Sequence, residues 1–184
     1  MSVEILSARR IITGIKDDDA PDLIEDGAIA FKDGVVLKIG SAQDMKKSYP
    51  NAVVTHYGHH IVLPGLINSH HHIGLTPLQM GAPDSPLELW FAARLAMRKI
   101  DPYLDTLFSA FEMIASGVTT VQHIQGWAKG SLDDVVASAS SVLKAYEDIG
   151  MRVSYCYAVR EQNRFVYEAD EAFCARLPPR VAQA

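Results

Sequence analysis

His70 and His72 are the residues of this chain most suited to chemistry. They close the stretch Leu63-Pro64-Gly65-Leu66-Ile67-Asn68-Ser69-His70-His71-His72. Along a strand successive side chains alternate faces, so His70 and His72 point one way and His71 the other. Two imidazoles on one face at the end of an apolar strand make half of a metal site. A catalytic zinc takes about three protein ligands and keeps one position open for water, so further donors must come from elsewhere. A triple histidine is also what a solvated surface cluster looks like. The apolar residues leading into this one are not the composition of an exposed polar tract.

The elements that hold the pair can be read from local patterns. Residues 3–13 alternate as a strand, and Asp17 to Asp22 is a polar, solvated loop. Ile29 to Lys32, then Asp33-Gly34, then Val35 to Ile39 read as a hairpin, because Asp-Gly suits a two-residue turn. Residues 43–50 read as a short helix or turn, Ala52 to Tyr57 as a strand, and Gly58-His59-His60 as a turn. That turn leaves His56, His59 and His60 as exposed side chains rather than ligands. From Ile61 the pattern becomes strand–helix alternation. Ser85-Pro86-Leu87-Glu88 has the form of a capping box, and Asp101-Pro102 repeats the cap-then-proline device. After it Leu104, Leu107, Phe108, Phe111, Ile114 and Ala115 recur at helical spacing up to Gly117. Val118 to His123 is a β-branched strand. Ser131 caps a helix with Val135, Val136, Ala139, Leu143 and Tyr146 on one face and Gly150 at its end. Met151 to Val159 is a third apolar strand, and Arg164 to Leu177 a helix stopped by Pro178-Pro179. Strands joined by single helices imply parallel pairing through right-handed crossovers.

The motifs resemble those of the amidohydrolase superfamily. Leu63 to His72 is similar to that family's first barrel strand. Asp84 to Trp90 (Asp-Ser-Pro-Leu-Glu-Leu-Trp) resembles the segment after that strand in the branch that deaminates or dechlorinates aminated heterocycles. Ser116-Gly117-Val118-Thr119-Thr120-Val121 resembles the entry to the second strand, and Asp26 to Gly40 the small β-domain before the barrel. The resemblance implies a small N-terminal β-sandwich-type domain over residues 1–60. It implies the first part of a TIM-like (β/α)8 barrel over residues 61–184, with His70 and His72 as ligands of one divalent metal. Zinc is the first choice, with iron or manganese as alternatives, since imidazole suits all three. In the family such a metal activates a water that attacks a carbon bearing the leaving group, with a glutamate from a later strand shuttling the proton.

By the same resemblance Gln79 and Trp90 fall where the family builds its substrate pocket. Trp90 either stacks on a heterocycle or packs as helix-face core. His123, at the end of the second strand, either contacts substrate, orients a ligand, or is a core histidine. The family's later histidine, aspartate and glutamate have no counterpart here, so the general acid–base residue is unknown and no histidine follows His123.

Composition limits the alternatives. The 184 residues are 48% hydrophobic and 21% charged, with a net charge of −5; the mean hydropathy is +0.05 and the pI about 5.8. This is ordinary globular composition without a basic stripe, which argues against nucleic acid as a partner. No apolar run reaches ~18 residues, so no membrane span is expected, and Met1 to Arg10 lacks a signal-peptide core. Cys156 and Cys174 show no framework spacing and read as reduced, cytoplasmic thiols, Cys156 as a packing residue. A (β/α)8 barrel alone takes ~250 residues, so the chain has room for about three strand–helix units and reads as truncated. Two functions follow. One is the N-terminal portion of a metal-dependent hydrolase of non-peptide C–N bonds, acting on a small molecule and inactive in isolation. The other is a non-catalytic relative that binds or self-assembles through an open sheet edge.

Overall fold

The computed structural model describes residues 2–72, 85–86, 89–90, 93, 100–126, 130–159 and 169–182. The chain divides into two compact units, Met1–Pro64 and Gly65–Ala184.

The first unit is a four-stranded sheet in the order β3-β2-β1-β4, formed by β1 (Glu4–Ile15), β2 (Pro21–Lys32), β3 (Val35–Ser41) and β4 (Val53–Val62). β1 pairs antiparallel with β2 and parallel with β4. Asp33 and Gly34 turn β2 into β3 with φ of 51° and 79°, the left-handed geometry that a two-residue hairpin needs and that Asp-Gly supplies. Helix α1 (Ala42–Ser48) starts at Ser41, whose hydroxyl accepts the Asp44 N–H. It sets Met45 against Ile5, Ala28 and Ala30 as a small core.

One expectation fails here. Gly58-His59-His60 is not a turn but part of β4. The pairing with β1 jumps from Ala8↔Tyr57 to Arg10↔Ile61, so three residues of β4 stand opposite one of β1. Pairing at both ends converts turn-prone residues into an irregularity within the strand. His59 and His60 are exposed all the same.

The second unit holds a parallel sheet in the order β5-β6-β7, with β5 (Leu66–His71), β6 (Val118–Gln125) and β7 (Arg152–Tyr157). Helix α2 (Pro102–Ala115) leads into β6 and helix α3 (Leu132–Ile149) connects β6 to β7. Asp101 caps α2 through the Leu104 N–H, Ser131 and Asp134 form a capping box on α3, and Gly150 closes α3 in the left-handed conformation. The core is Ala110, Met113, Val121, Val142, Tyr146 and Met151. Two short helices follow, α4 (Asp170–Cys174) and α5 (Pro179–Ala182). The expected 164–177 helix is seen only over Asp170–Cys174: residues 175–177 are turn, and 160–168 lie outside the described residues.

Three expectations change in this unit. The stretch similar to the family's first barrel strand, Leu63 to His72, is a strand only over Leu66–His71. Ile61 and Val62 belong to β4, and β5 pairs only with β6 among the described strands, because each crossover moves the chain one strand further in the same direction. The apolar stripe of α2 does not face the sheet: Leu104, Phe108, Phe111 and Ile114 are exposed, while Asp105, Thr106, Ser109, Ala110 and Met113 are buried. Small residues let the helix lie close to the sheet. The hydroxyls of Thr106 and Ser109 are satisfied by donating to the Pro102 and Asp105 carbonyls. On α3 the buried face is Val142, Ala145 and Tyr146, with Val136 and Leu143 exposed.

Gly65 is required by close approach. A Cβ there would lie 2.1 Å from Thr119 Oγ1 and 2.7 Å from Thr119 Cβ. The Gly65→Ala variant is therefore expected to lose about 1–3 kcal/mol of stability, read as a lower urea midpoint. An unchanged midpoint would mean that the first residues of β5 are free to move away from β6.

Candidate metal centre

The end of β5 is irregular. Asn68 pairs with Val121 and His71 with His123, so two residues on β5, Ser69 and His70, stand where β6 has only Gln122. This bulge puts Asn68 and His71 on the helix side of the sheet. The Asn68 amide nitrogen donates to Met113 Sδ of α2 at 3.5 Å, and its Oδ1 accepts the His70 N–H at 3.2 Å. His70 and His72 emerge on the other side, with ring centroids 4.8 Å apart and their Nε2 atoms 2.9 Å apart.

The His72 ring is anchored. Its Nδ1 lies 2.8 Å from the carbonyl oxygen of Ile124 at the end of β6. A carbonyl only accepts, so Nδ1 carries the proton and Nε2 presents its lone pair. His70 then donates from Nε2 in the contact between the two rings. In a tetrahedral site with metal–nitrogen distances of about 2.0–2.1 Å two imidazole nitrogens lie roughly 3.3 Å apart, so the rings must open by about 0.4 Å to hold one ion. The donor types, their convergence on one side of the sheet and a carbonyl behind one ring fit a divalent cation. Among the described residues no group of three or more His, Cys, Asp or Glu side chains is placed to hold a metal, so the pair is a partial site.

His71 and His123 belong to a different environment. His123 has no exposed surface. Its Nδ1 lies 2.8 Å from the Tyr146 hydroxyl of α3, its ring stacks on Tyr155 at 5.8 Å, and the His71 ring stands edge-on at 5.6 Å. Burial, then repulsion from His71 and His72, pushes the His123 pKa down to about 3. Burial, then His72, also lowers that of His71, against a smaller opposing pull from Asp105. Burial raises the Tyr146 hydroxyl, with Asp105 adding to the shift. Of the readings open for His123, namely contact with substrate, orienting a ligand and core packing, these contacts support the last. Its side chain lies on the helix face of β6, opposite the paired rings.

Gln122, on the opposite face of β6 from His123, donates to Cys156 Sγ of β7 at 3.4 Å. Trp90 is half-buried and helical, with its N–H donating to the Pro86 carbonyl. Gln79 lies outside the described residues.

The sequence reading missed Asn68, which shapes the bulge, and Gln125, which is 3% exposed and bonded to Ser138 and Tyr155. A polar residue two positions after His123 on the same strand face was the available signal.

Comparison with known proteins identifies the family. The profile of the Amidohydrolase family matches residues 61–184, and the chain belongs to that family. A 5-methylthioadenosine/S-adenosylhomocysteine deaminase of Nitratidesulfovibrio vulgaris is 29% identical over 153 residues, covering 80% of this chain and 31% of that protein. A 5'-deoxyadenosine deaminase of Methanosarcina barkeri is 30% identical over 150 residues, covering 79% of this chain and 31% of that one. The chain thus spans about a third of the length of these relatives. In fold it is similar to a guanine deaminase of E. coli (TM-score 0.63, 16% identity, 95% of this chain and 41% of that one). It is also similar to an atrazine chlorohydrolase of Arthrobacter aurescens solved with zinc (TM-score 0.71, 18% identity, 93% and 41%).

Proposed function

We propose that the intact protein is a metal-dependent deaminase of an aminated heterocycle, with His70 and His72 as two of its metal ligands. The observation that carries this reading is the convergence of the two Nε2 atoms at 2.9 Å, with His72 turned by the Ile124 carbonyl so that its lone pair faces the gap. A divalent cation held there supplies Lewis acidity and a water acidic enough to attack at neutral pH. The residues of this chain contribute rigidity. The bulge at Ser69 and His70 aims the first ring, and the β6 carbonyl fixes the tautomer of the second. In hydrolytic deamination water oxygen bonds to the ring carbon, the carbon–nitrogen bond breaks, and ammonia leaves.

The three-stranded parallel sheet with its helices supports the opening third of a (β/α)8 barrel, in which active sites form at the C-terminal strand ends. The first unit supports part of a β-sandwich-type domain. Two imidazoles, the donors that the described residues bring together, are too few for turnover, and residues 1–184 alone are expected to bind metal without catalysis. Purines of the adenosine type are the first substrates to try, because the named relatives are deaminases of such compounds; Gln79 and Trp90 are the proposed pocket residues. Zinc is the proposed metal, supported by the chlorohydrolase solved with zinc. Two free cysteines support a reducing, cytoplasmic setting.

The test is ammonia release by the zinc-loaded intact protein from adenosine, 5'-deoxyadenosine, guanine and an amino-triazine. One of them is expected to yield ammonia in step with loss of the ring amine. Zinc-binding protein that releases none from any of them overturns the deaminase reading.

A further inference from the structure

We propose that Gln125 is a positioning residue for His72: it holds the peptide unit whose carbonyl fixes the His72 ring. The proposal rests on the reading of His72 as a metal ligand, and its test is separable from that reading.

The Ile124 carbonyl that meets His72 Nδ1 is not a free-standing group. Peptide planarity makes it one rigid unit with the nitrogen and Cα of Gln125. Wherever Gln125 sits, that carbonyl follows. Gln125 is fixed from three directions, none of which involves His72. Its backbone carbonyl accepts the Ala158 N–H at 2.8 Å. Its Nε2 donates to Ser138 Oγ of α3 at 2.7 Å, and its Oε1 accepts the Tyr155 hydroxyl of β7. With a relative exposure of 3%, the amide is out of water and each of its two polar atoms has a partner.

A residue needed only to fill space at this position is better leucine or methionine, since a buried amide gains little net stability over an apolar side chain. What a satisfied polar group adds is a single arrangement. Here the arrangement reaches the paired rings. With the carbonyl in place the ring proton sits on Nδ1 of His72. With the carbonyl displaced, the proton is free to sit on Nε2, where it blocks the ligand position. The metal side of the sheet is thus set from its helix side, across one peptide plane.

The experiment uses the intact protein with 15N-labelled histidine, metal-free at pH 8. Long-range proton–nitrogen spectra read the tautomer of His72, and a zinc titration against a chromophoric chelator reads affinity. Wild type is expected to hold the proton on Nδ1. Gln125→Leu is expected to populate both tautomers and to bind zinc roughly ten-fold more weakly, the lower end for groups supporting a ligand. Ser138→Ala and Tyr155→Phe each remove one tether and are expected to give smaller shifts of the same kind. They decide the matter if Gln125→Leu does not fold. Met45→Ala, a cavity in the core of the first unit, is expected to lower stability and leave the tautomer alone. Folded tether variants with the wild-type tautomer and wild-type zinc affinity overturn the proposal. If the tautomer shifts while even wild type fails to bind zinc, the positioning role stands and the metal reading falls.

Discussion

Alanine at His70 or His72 in the intact protein is expected to abolish zinc binding and metal-dependent turnover together, with His71→Ala leaving both nearly intact. The contrast follows from the geometry. His70 and His72 bring their Nε2 atoms to 2.9 Å on one side of the sheet, while the bulge turns His71 to the other side, beside His123. Losing a group that merely supports a ligand typically weakens metal binding 10–100-fold, so losing a ligand from a site of about three should exceed ~100-fold. His71→Ala instead opens a cavity beside His123 and is expected to cost about 1–3 kcal/mol of stability. Zinc content after gel filtration and a urea unfolding curve on each variant separate the two effects. If His71→Ala strips zinc as thoroughly as the other two, the pair has been assigned to the wrong face.

That contrast was partly legible in the sequence, for a reason that is only partly right. Strict alternation puts Asn68, His70 and His72 on one face. The folded strand keeps the two histidines together but moves Asn68 to the side of His71, because the bulge adds a residue between Asn68 and His71. Local chemistry was read well where the cause is local. Asp33-Gly34 makes its hairpin turn, Asp101-Pro102 and Ser131 start their helices, and Gly150 ends one. What depended on a distant partner was not. Gly58 to His60 look like a turn until β1 pairs on both sides of them. The apolar stripe of α2 looks like the buried face until the small residues Ser109 and Ala110 let the opposite face approach the sheet. His123 looks like a site residue by its place on the strand, and only the packing of Tyr146 and Tyr155 makes it core.

The burial of His123 has a consequence for acid stability. In the folded protein its pKa is pushed to about 3, chiefly by burial, against an ordinary value of 6.5. The unfolded chain therefore binds one more proton than the folded chain between about pH 3 and pH 6.5. Stability from this group is fully present above pH 6.5 and is lost as pH falls, at about 1.4 kcal/mol per pH unit. His71, shifted in the same direction, adds to the slope but does not change its sign. Carboxylates also contribute in this range, so the informative quantity is a difference between proteins. Urea unfolding of wild type and His123→Gln at intervals from pH 4 to pH 7.5 measures it. His123→Gln is expected to be the less stable at pH 7.5, where neutral His123 still holds Tyr146 and stacks on Tyr155. It is also expected to lose stability more gradually below pH 6, by about 1 kcal/mol less for each unit of acidification. Parallel curves would show that His123 takes up its proton as readily in the folded chain as in the unfolded one. That outcome would place the imidazole in contact with water and return it to the list of groups available to a substrate.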